Sequence, residues 1–230
     1  MQQISDNVYQ IPLGAVNAFL IEDNGLTLVD TGYKNSTFKI FESIKKSGKN
    51  PNELKQIILT HSHPDHAGSA YEIKTKLNIP VYAHYEDAHL IKQGIAGRLP
   101  HVLSPGLANW IVFRMFIKSS KNEIDAFEVD TTIEDKDIIP IAGGIEVIHT
   151  PGHSKGHVAL LIKNEGLLIA ADICSNMMGL GLSTVYEDRE LGIKSIQKAA
   201  SFDFDKAIFG HGKPILKNAN KQMRAKFAIT

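Results

Sequence analysis

Short apolar runs separated by turn residues divide the first third of the chain into alternating strands and helices. Apolar runs over 16–21 and 26–29 flank the segment 22–25, whose Asn-Gly pair is a strong β-hairpin signal. Residues 36–47 carry apolar side chains at helical spacing, between a serine that can cap the helix and a glycine that can end it. The same reasoning predicts a strand over 57–59, a helix over 67–77 and a strand over 81–83.

The second half of the chain repeats this alternation. A helix is predicted over 189–200, where apolar side chains recur at helical spacing. Strands are predicted over 145–149, 158–162, 167–170 and 207–209. Because strands and helices alternate in both halves without a short-period repeat, the pattern predicts an α/β fold with residues 1–230 in a single domain.

Residues 90–126 fit this pattern poorly and form a candidate lid insertion. An insertion of this length in a compact domain is usually functional or mobile. A helix over 107–117 would be apolar on most of its circumference, so it must pack on the core, on a partner subunit or over an active-site mouth. We expect the last, with Trp110, Phe113 and Phe116 lining a substrate pocket. Core packing and a homodimer through 107–117 are the alternatives.

Composition and charge narrow the class of protein. Hydrophobic residues make up 43% and charged residues 22% of the chain, as in ordinary soluble domains. Lys plus Arg equals Asp plus Glu, at 25 each, so we expect no nucleic-acid partner. The single cysteine, Cys174, allows no intrachain disulfide and fits a reducing compartment. The first residues show no secretory signal and the longest apolar stretch is too short for a membrane span, so we expect a cytoplasmic protein.

The run His61-Ser62-His63-Pro64-Asp65-His66 places three imidazoles and a carboxylate within six residues. These are ligand types that suit zinc and similar divalent metals. Residues two apart share a face in an extended segment, so His61 and His63 can grip one metal together. Asp65 and His66 come from the following turn and can face a second metal nearby.

Further candidate ligands come after three apolar runs in the second half of the chain. His153 lies in Thr150-Pro151-Gly152-His153, Asp172 follows the run 167–170, and His211 lies between two glycines. Each follows a predicted strand and sits beside a turn residue or opens a loop. Sites in sheet proteins are commonly built from such loops at one edge of a rigid scaffold.

In order and spacing these motifs resemble the metallo-β-lactamase fold superfamily of metal-dependent hydrolases, in its glyoxalase II and lactonase-like branch. The resemblance also includes Leu28-Val29-Asp30-Thr31-Gly32 and covers residues 28–212. It implies an αββα sandwich of two mixed sheets flanked by helices. It further implies a first metal bound by His61, His63 and His153, a second bound by Asp65, His66 and His211, and Asp172 as the bridge.

Two metals at such a site can lower the pKa of a shared water from 15.7 toward about 7, which provides hydroxide at neutral pH. We therefore expect a dinuclear zinc-dependent hydrolase that attacks the carbonyl of a small thioester, ester or lactone. Asp65 is the candidate to orient the hydroxide or pass its proton. The alternatives are a mononuclear iron oxygenase like the persulfide dioxygenases of this fold and, with less support, a β-lactamase.

The remaining polar residues near these motifs are assigned supporting roles. The family pattern treats Asp30 as a residue that orients a ligand histidine. His157 is expected to be a hydrogen-bonded structural residue, and Cys174 a small buried hydrophobic residue. Four other histidines lack a ligand-like context and are expected on the surface or in the core: His84, His89, His101 and His149.

Overall fold

The computed structural model describes residues 1–118 and 121–228. Its strands are β1 (Gln2–Gln3), β2 (Val8–Pro12), β3 (Asn17–Glu22), β4 (Leu26–Val29), β5 (Leu54–Ile58), β6 (Val81–His84), β7 (Val102–Leu103), β8 (Thr131–Ile133), β9 (Ile138–Ile139), β10 (Ile145–His149), β11 (Val158–Ile162), β12 (Leu167–Ala171), β13 (Val185–Tyr186) and β14 (Lys206–Phe209). Its helices are α1 (Thr37–Lys46), α2 (Pro64–Ala67), α3 (Ala70–Leu77), α4 (Tyr85–Gln93), α5 (Leu107–Val112), α6 (Arg189–Ala200) and α7 (Ala219–Phe227). A π-helical turn, Phe113–Ile117, continues α5, and short 3-10 turns lie at Pro51–Glu53 and Lys163–Glu165.

The first sheet has the strand order β1-β2-β3-β4-β5-β6-β8. Strands β1 to β4 pair antiparallel, whereas β4, β5, β6 and β8 run parallel, so the sheet is mixed. The predicted turn joins β3 to β4, and Asn24 and Gly25 both adopt positive φ there. That backbone conformation suits Asn and Gly and closes the hairpin tightly.

The second sheet has the order β14-β12-β11-β10-β9. Strands β12 and β14 pair parallel, and the other neighbours pair antiparallel, so this sheet is mixed as well. Every residue of β11 is buried, which fits an all-apolar strand between β10 and β12 with both faces covered.

The two sheets pack face to face with helices on both outer surfaces. Phe19 of the first sheet and Leu160 of the second belong to the apolar layer between the sheets. Ile44 of α1 covers the outer face of the first sheet, and Ile196 of α6 and Met223 of α7 cover that of the second. Burying each such side chain contributes about 1.5–3 kcal/mol, so the layers hold one another in place. The expected αββα sandwich of two mixed sheets is confirmed.

The insertion is anchored at its base and exposed beyond it. Its first residues, 90–93, form the last turn of α4. Its base is closed by hydrogen bonds from Ala96 N to Asn122 O (3.2 Å) and from Ile124 N to Gly94 O (3.1 Å). Strand β7 pairs with β13 of the second half. No residue of α5 or of its π-helical continuation is buried, so the core-packing alternative is wrong. Residues 119 and 120 of the candidate lid lie outside the described residues.

The elements predicted from the apolar pattern are largely confirmed. Strands β10 and β11 and helix α6 have the predicted bounds, and α1 differs by one residue at each end. The helix predicted over 67–77 is divided into α2 and α3. Within the described residues, no helix is both long and apolar enough to cross a bilayer.

Candidate metal centre

Seven candidate side chains lie together at one edge of the sandwich. His61 and His63 follow β5, and Asp65 and His66 lie on α2, which starts with Pro64 where a missing N–H costs nothing. The other three follow strands of the second sheet: His153 follows β10, Asp172 follows β12 and His211 follows β14. The site is thus assembled from loops of both sheets.

His61, His63 and His153 form a first cluster. Their ring nitrogens lie within 4.8 Å of one another, and the ring centroids of each pair are separated by 4.7–4.8 Å. The Nε2 atom of each ring is buried and has no hydrogen-bond partner within the described residues. Three unpaired imidazole nitrogens facing one point are a donor set for a divalent metal.

Asp65, His66 and His211 form a second cluster, also within 4.8 Å. His211 Nε2 lies 3.2 Å and His66 Nε2 lies 3.8 Å from Asp65 Oδ2. The Nε2 atom of His66, like those of the first cluster, is buried without a hydrogen-bond partner among the described residues.

Asp172 lies between the two clusters. Its Oδ2 is 3.1 Å from His211 Nε2 and 3.5 Å from His153 Nε2, and its Oδ1 is 3.5 Å from His66 Nε2. A Cβ atom on Gly210 would lie 2.0 Å from Asp172 Oδ1, so the absence of a side chain there leaves room for the carboxylate. One carboxylate therefore faces candidate ligand nitrogens of both clusters.

The outer ring nitrogens are held by partners that orient the rings. His66 Nδ1 lies 2.8 Å from Asp30 Oδ2, which places Asp30 where the family pattern puts a supporting carboxylate. His153 Nδ1 contacts Val185 O at 2.9 Å, and His211 Nδ1 contacts Ala15 O at 2.7 Å. A hydrogen bond at Nδ1 fixes the tautomer that leaves the Nε2 lone pair free for a metal.

The two clusters differ in protonation without metal. Burial lowers the pKa of the histidines of the first cluster, that of His63 to about 4, so these rings are neutral at pH 7. Burial opposes protonation of His66 too, but the charges of Asp172, Asp65 and Asp30 outweigh it and raise its pKa to about 10. Asp172 and Asp65 likewise raise the pKa of His211 against the effect of burial. The second cluster therefore has the carboxylate charge needed to hold a cation.

A cavity of about 170 Å³ opens over the two clusters. Besides candidate ligands, its lining includes the polar side chains of Tyr33, His101 and Asn122 and, from the insertion, the apolar side chains of Val112, Phe116 and Ile117. Trp110 and Phe113 do not line it, contrary to expectation. The mixed polar and apolar lining is that of a small-molecule site.

His101 was expected on the surface or in the core, but it lines the cavity beside the first cluster. Its ring centroid lies 5.5 Å from that of His63, and its Nε2 is buried without a hydrogen-bond partner among the described residues. Gly97 brings the same loop against His63: its φ is +108°, and a Cβ there would lie 2.6 Å from His63 Cδ2. No local pattern could have revealed this, since the contact joins the insertion to a distant loop.

The other assigned residues occupy supporting positions. His157 is buried, contacts Thr150 Oγ1 through Nδ1 at 2.8 Å and accepts a hydrogen bond from Asp172 N at 3.1 Å, as expected of a structural histidine. His84 stacks on His149 with ring centroids 4.1 Å apart. Cys174 is buried and unbridged.

The order of these motifs along the chain identifies its family. The family model described as the Metallo-beta-lactamase superfamily matches residues 11–211, which include both clusters and Asp172. The chain belongs to the metallo-β-lactamase superfamily. The family and the fold expected from the motifs are thus confirmed, whereas the glyoxalase II and lactonase-like branch stays a prediction.

Relatives within the superfamily cover most of the chain. Probable metallo-hydrolase YflN of Bacillus subtilis (strain 168) is 26% identical over 224 residues, 91% of this chain and 81% of the relative. Probable metallo-hydrolase YqgX of the same organism is 30% identical over 168 residues, 71% of this chain and 69% of the relative. The crystal structure of the metallo-β-lactamase GOB-18 from Elizabethkingia meningoseptica has a TM-score of 0.72 at 20% identity and covers 98% of this chain and 87% of its own. That structural likeness shows a shared fold.

Proposed function

We propose that this superfamily member is a dinuclear zinc-dependent hydrolase of small thioesters, esters or lactones. The position of Asp172, facing ligand nitrogens of both clusters at 3.1–3.5 Å, is the observation that carries the proposal. Leaving a buried polar atom unpaired costs about 1–3 kcal/mol, and four of the candidate ligand histidines have a buried Nε2 without a hydrogen-bond partner among the described residues. Bound cations would remove that cost, and imidazole with carboxylate is a donor set that suits zinc.

The proposed ligands follow the two clusters. His61, His63 and His153 would hold the first metal, Asp65, His66 and His211 the second, and Asp172 would bridge them. When bound, two such cations would lower the pKa of a shared water and polarise the substrate carbonyl.

Asp65 has the proposed catalytic role. It lines the cavity, and the charges of His66 and His211 keep its pKa below the ordinary value although burial acts in the opposite direction. An ionised carboxylate at this position can accept the proton of the attacking water and pass it to the leaving group.

The cavity lining supports a substrate with one polar and one apolar part. Tyr33, His101 and Asn122 supply hydrogen-bonding groups beside the clusters, and Val112 and Phe116 supply an apolar wall. A reacting carbonyl beside the polar groups would leave an acyl or alkyl portion against the wall. In this role residues 90–126 act as a lid over the site.

Metal analysis combined with a substrate panel tests the proposal. We expect about two zinc ions per chain and turnover of a thioester, ester or lactone. Asp172→Ala should lower turnover at least about 100-fold, the scale seen when a key electrostatic group is removed from an active site. His211→Ala should lose the second metal and most activity.

Other outcomes would favour the alternatives. One iron per chain, a harmless His211→Ala and oxygen consumption with a persulfide would replace the hydrolase with a dioxygenase. Turnover of a β-lactam in the same panel, with none of the thioesters, esters or lactones, would make the chain a β-lactamase.

Two further expectations from the sequence are part of the proposal. A cytoplasmic location is supported by the single, buried Cys174, and cell fractionation tests it. A homodimer through 107–117 is one possible use of the exposed apolar side chains of that segment, and sedimentation equilibrium tests it.

A further inference from the structure

The helical segment 107–118 has a second face that the cavity does not use. Its cavity-lining residues are Val112, Phe116 and Ile117. Four other large apolar side chains are exposed and do not line the cavity: Leu107, Trp110, Ile111 and Met115, at 74%, 51%, 42% and 68% exposure. Their spacing of three and four residues places them on one side of the helix. An exposed apolar stripe of this kind marks an interaction surface.

The charge of the surrounding chain indicates the chemistry of the partner. Residues 98–122 contain no Asp or Glu but four basic residues. Arg98 is engaged with Glu86 at 3.0 Å. Arg114, Lys118 and Lys121 are exposed and have no ion pair in the described part of the chain. A chain with no net charge thus concentrates positive charge beside its apolar stripe.

Trp110 and Arg114 combine the two properties at the centre of the segment. The Arg114 guanidinium carbon lies 5.7 Å from the centroid of the Trp110 ring. An indole beside a cation is suited to the boundary between headgroups and acyl chains, where the ring is half-solvated and the cation meets phosphate. Basic and apolar side chains on one helix are typical of segments that lie in the plane of a bilayer surface.

We propose that the face formed by Leu107, Trp110, Ile111, Arg114, Met115 and Lys118, here called the docking face, binds the surface of an anionic lipid bilayer. A second copy of the chain suits it less. A two-fold interface would pair the docking face with itself, so Arg114 and Lys118 would meet a surface of the same sign, since residues 98–122 contain no carboxylate. Anionic lipids supply both the apolar layer and the negative charge that the docking face lacks.

This inference goes beyond the proposed hydrolase activity and does not depend on it. The docking face and the cavity wall belong to the same helical segment, so binding would bring the cavity mouth to the lipid surface. Met177, which lines the cavity, and its neighbour Met178 are exposed at 45% and 76% and add apolar surface at that mouth.

Trp110 is the single tryptophan of the chain, so its fluorescence reports on the docking face directly. The metal-loaded protein is titrated with vesicles of phosphatidylcholine containing about 30% phosphatidylglycerol, and with vesicles of phosphatidylcholine alone. We expect a blue shift of the emission and co-flotation with the anionic vesicles, both reversed by high salt. Neutral vesicles should give much weaker binding.

Paired variants separate charge from apolar contact. Each basic side chain near an anionic surface strengthens binding about fivefold, so Arg114→Glu with Lys118→Glu should weaken vesicle binding at least about 25-fold. Ile111→Ser with Met115→Ser should reduce it as well. Phe38→Ser with Lys39→Glu, which changes an exposed apolar and basic pair on α1, is the matched control and should bind like the unaltered chain.

The same measurements can overturn the proposal. An emission spectrum that anionic vesicles leave unchanged would exclude docking on lipid. A blue shift that grows with protein concentration in the absence of vesicles, together with a dimer in sedimentation equilibrium, would assign the face to a second copy. All three paired variants are also assayed for hydrolysis of a water-soluble substrate. This assay tests the proposed activity independently of vesicle binding.

Discussion

Asp87 is a buried carboxylate that connects the two loops of the first cluster. It accepts hydrogen bonds from Ser62 N at 2.9 Å, Ser154 Oγ at 2.8 Å and Gly156 N at 3.0 Å. Ser62 lies between His61 and His63, and Ser154 follows His153, so this one side chain fixes the backbone that presents all three rings. Burial raises the pKa of Asp87, and the hydrogen bonds together with Arg98, whose Nη1 lies 3.5 Å away, oppose that rise.

We therefore expect Asp87→Asn to weaken metal binding at the first cluster. The variant replaces an acceptor oxygen by an NH₂ group that faces a donor, and loss of such a support typically costs 10–100-fold in metal affinity. Titration of the metal-free protein with zinc or with cobalt measures the metal affinity of each cluster. Asp30→Asn is the matched variant: Asp30 contacts His66, so the second cluster should weaken more than the first. Equal weakening of both clusters by Asp87→Asn would show a general structural role.

The side chains of the two clusters and Asp172 could be found from sequence, but the groups around them could not. Each candidate ligand lies in a short motif that comes soon after a strand. Asp87 lies 25 residues from Ser62 and 69 from Gly156, and its hydrogen bonds depend on how α4 packs against both loops. His101 reaches His63 only because the insertion folds back over the site. Contacts between distant segments leave no local pattern.

At the scale of elements, the strongly apolar runs were predictable and the mixed ones were not. Strand β2 was missed because its buried apolar residues, Val8 and Ile11, are separated by Tyr9 and Gln10 and followed by Pro12. Helix α7 buries only Ala219, Met223 and Phe227, a narrow stripe on a polar helix. Helix α4 begins directly after β6, with His84 as its cap, so no loop separates the two.

The helical wall of the cavity gives a prediction at this scale. Phe116→Ala should raise KM for long-chain substrates by about tenfold and leave KM for short-chain substrates nearly unchanged. The reason is that only a long acyl chain would lose apolar contact when the aromatic ring is removed. Steady-state kinetics with a series of acyl lengths measures the difference. Trp110→Ala is the control, because Trp110 lies on the same helical segment but does not line the cavity, and it should change KM for neither long-chain nor short-chain substrates. Equal effects of Phe116→Ala on both lengths would mean that the wall supports the fold of the lid and does not contact substrate.

At the scale of the molecule, the site depends on contact between the two halves of the chain. Asn17 N donates to Gly210 O at 2.8 Å, and Val158 N donates to Thr60 O at 2.9 Å. These bonds connect the loop of His211 to β3 and the loop of His61 to β11. Each cluster takes ligands from both halves, so neither half contains a complete donor set.

Metal binding should therefore stabilise the whole molecule. A ligand that binds only the folded state at about 1,000 times its Kd adds about 4.1 kcal/mol to the free energy of unfolding. For a chain of this size, each kcal/mol shifts Tm by about 2–4 °C, so stripping the metals with a chelator should lower Tm by roughly 8–16 °C. Thermal denaturation with and without zinc measures the shift. Asp172→Ala, which removes the contact between the clusters, should respond much less to zinc. A Tm that does not change on chelation would mean that the clusters are rigid without metal and that the unpaired nitrogens are tolerated by the surrounding packing.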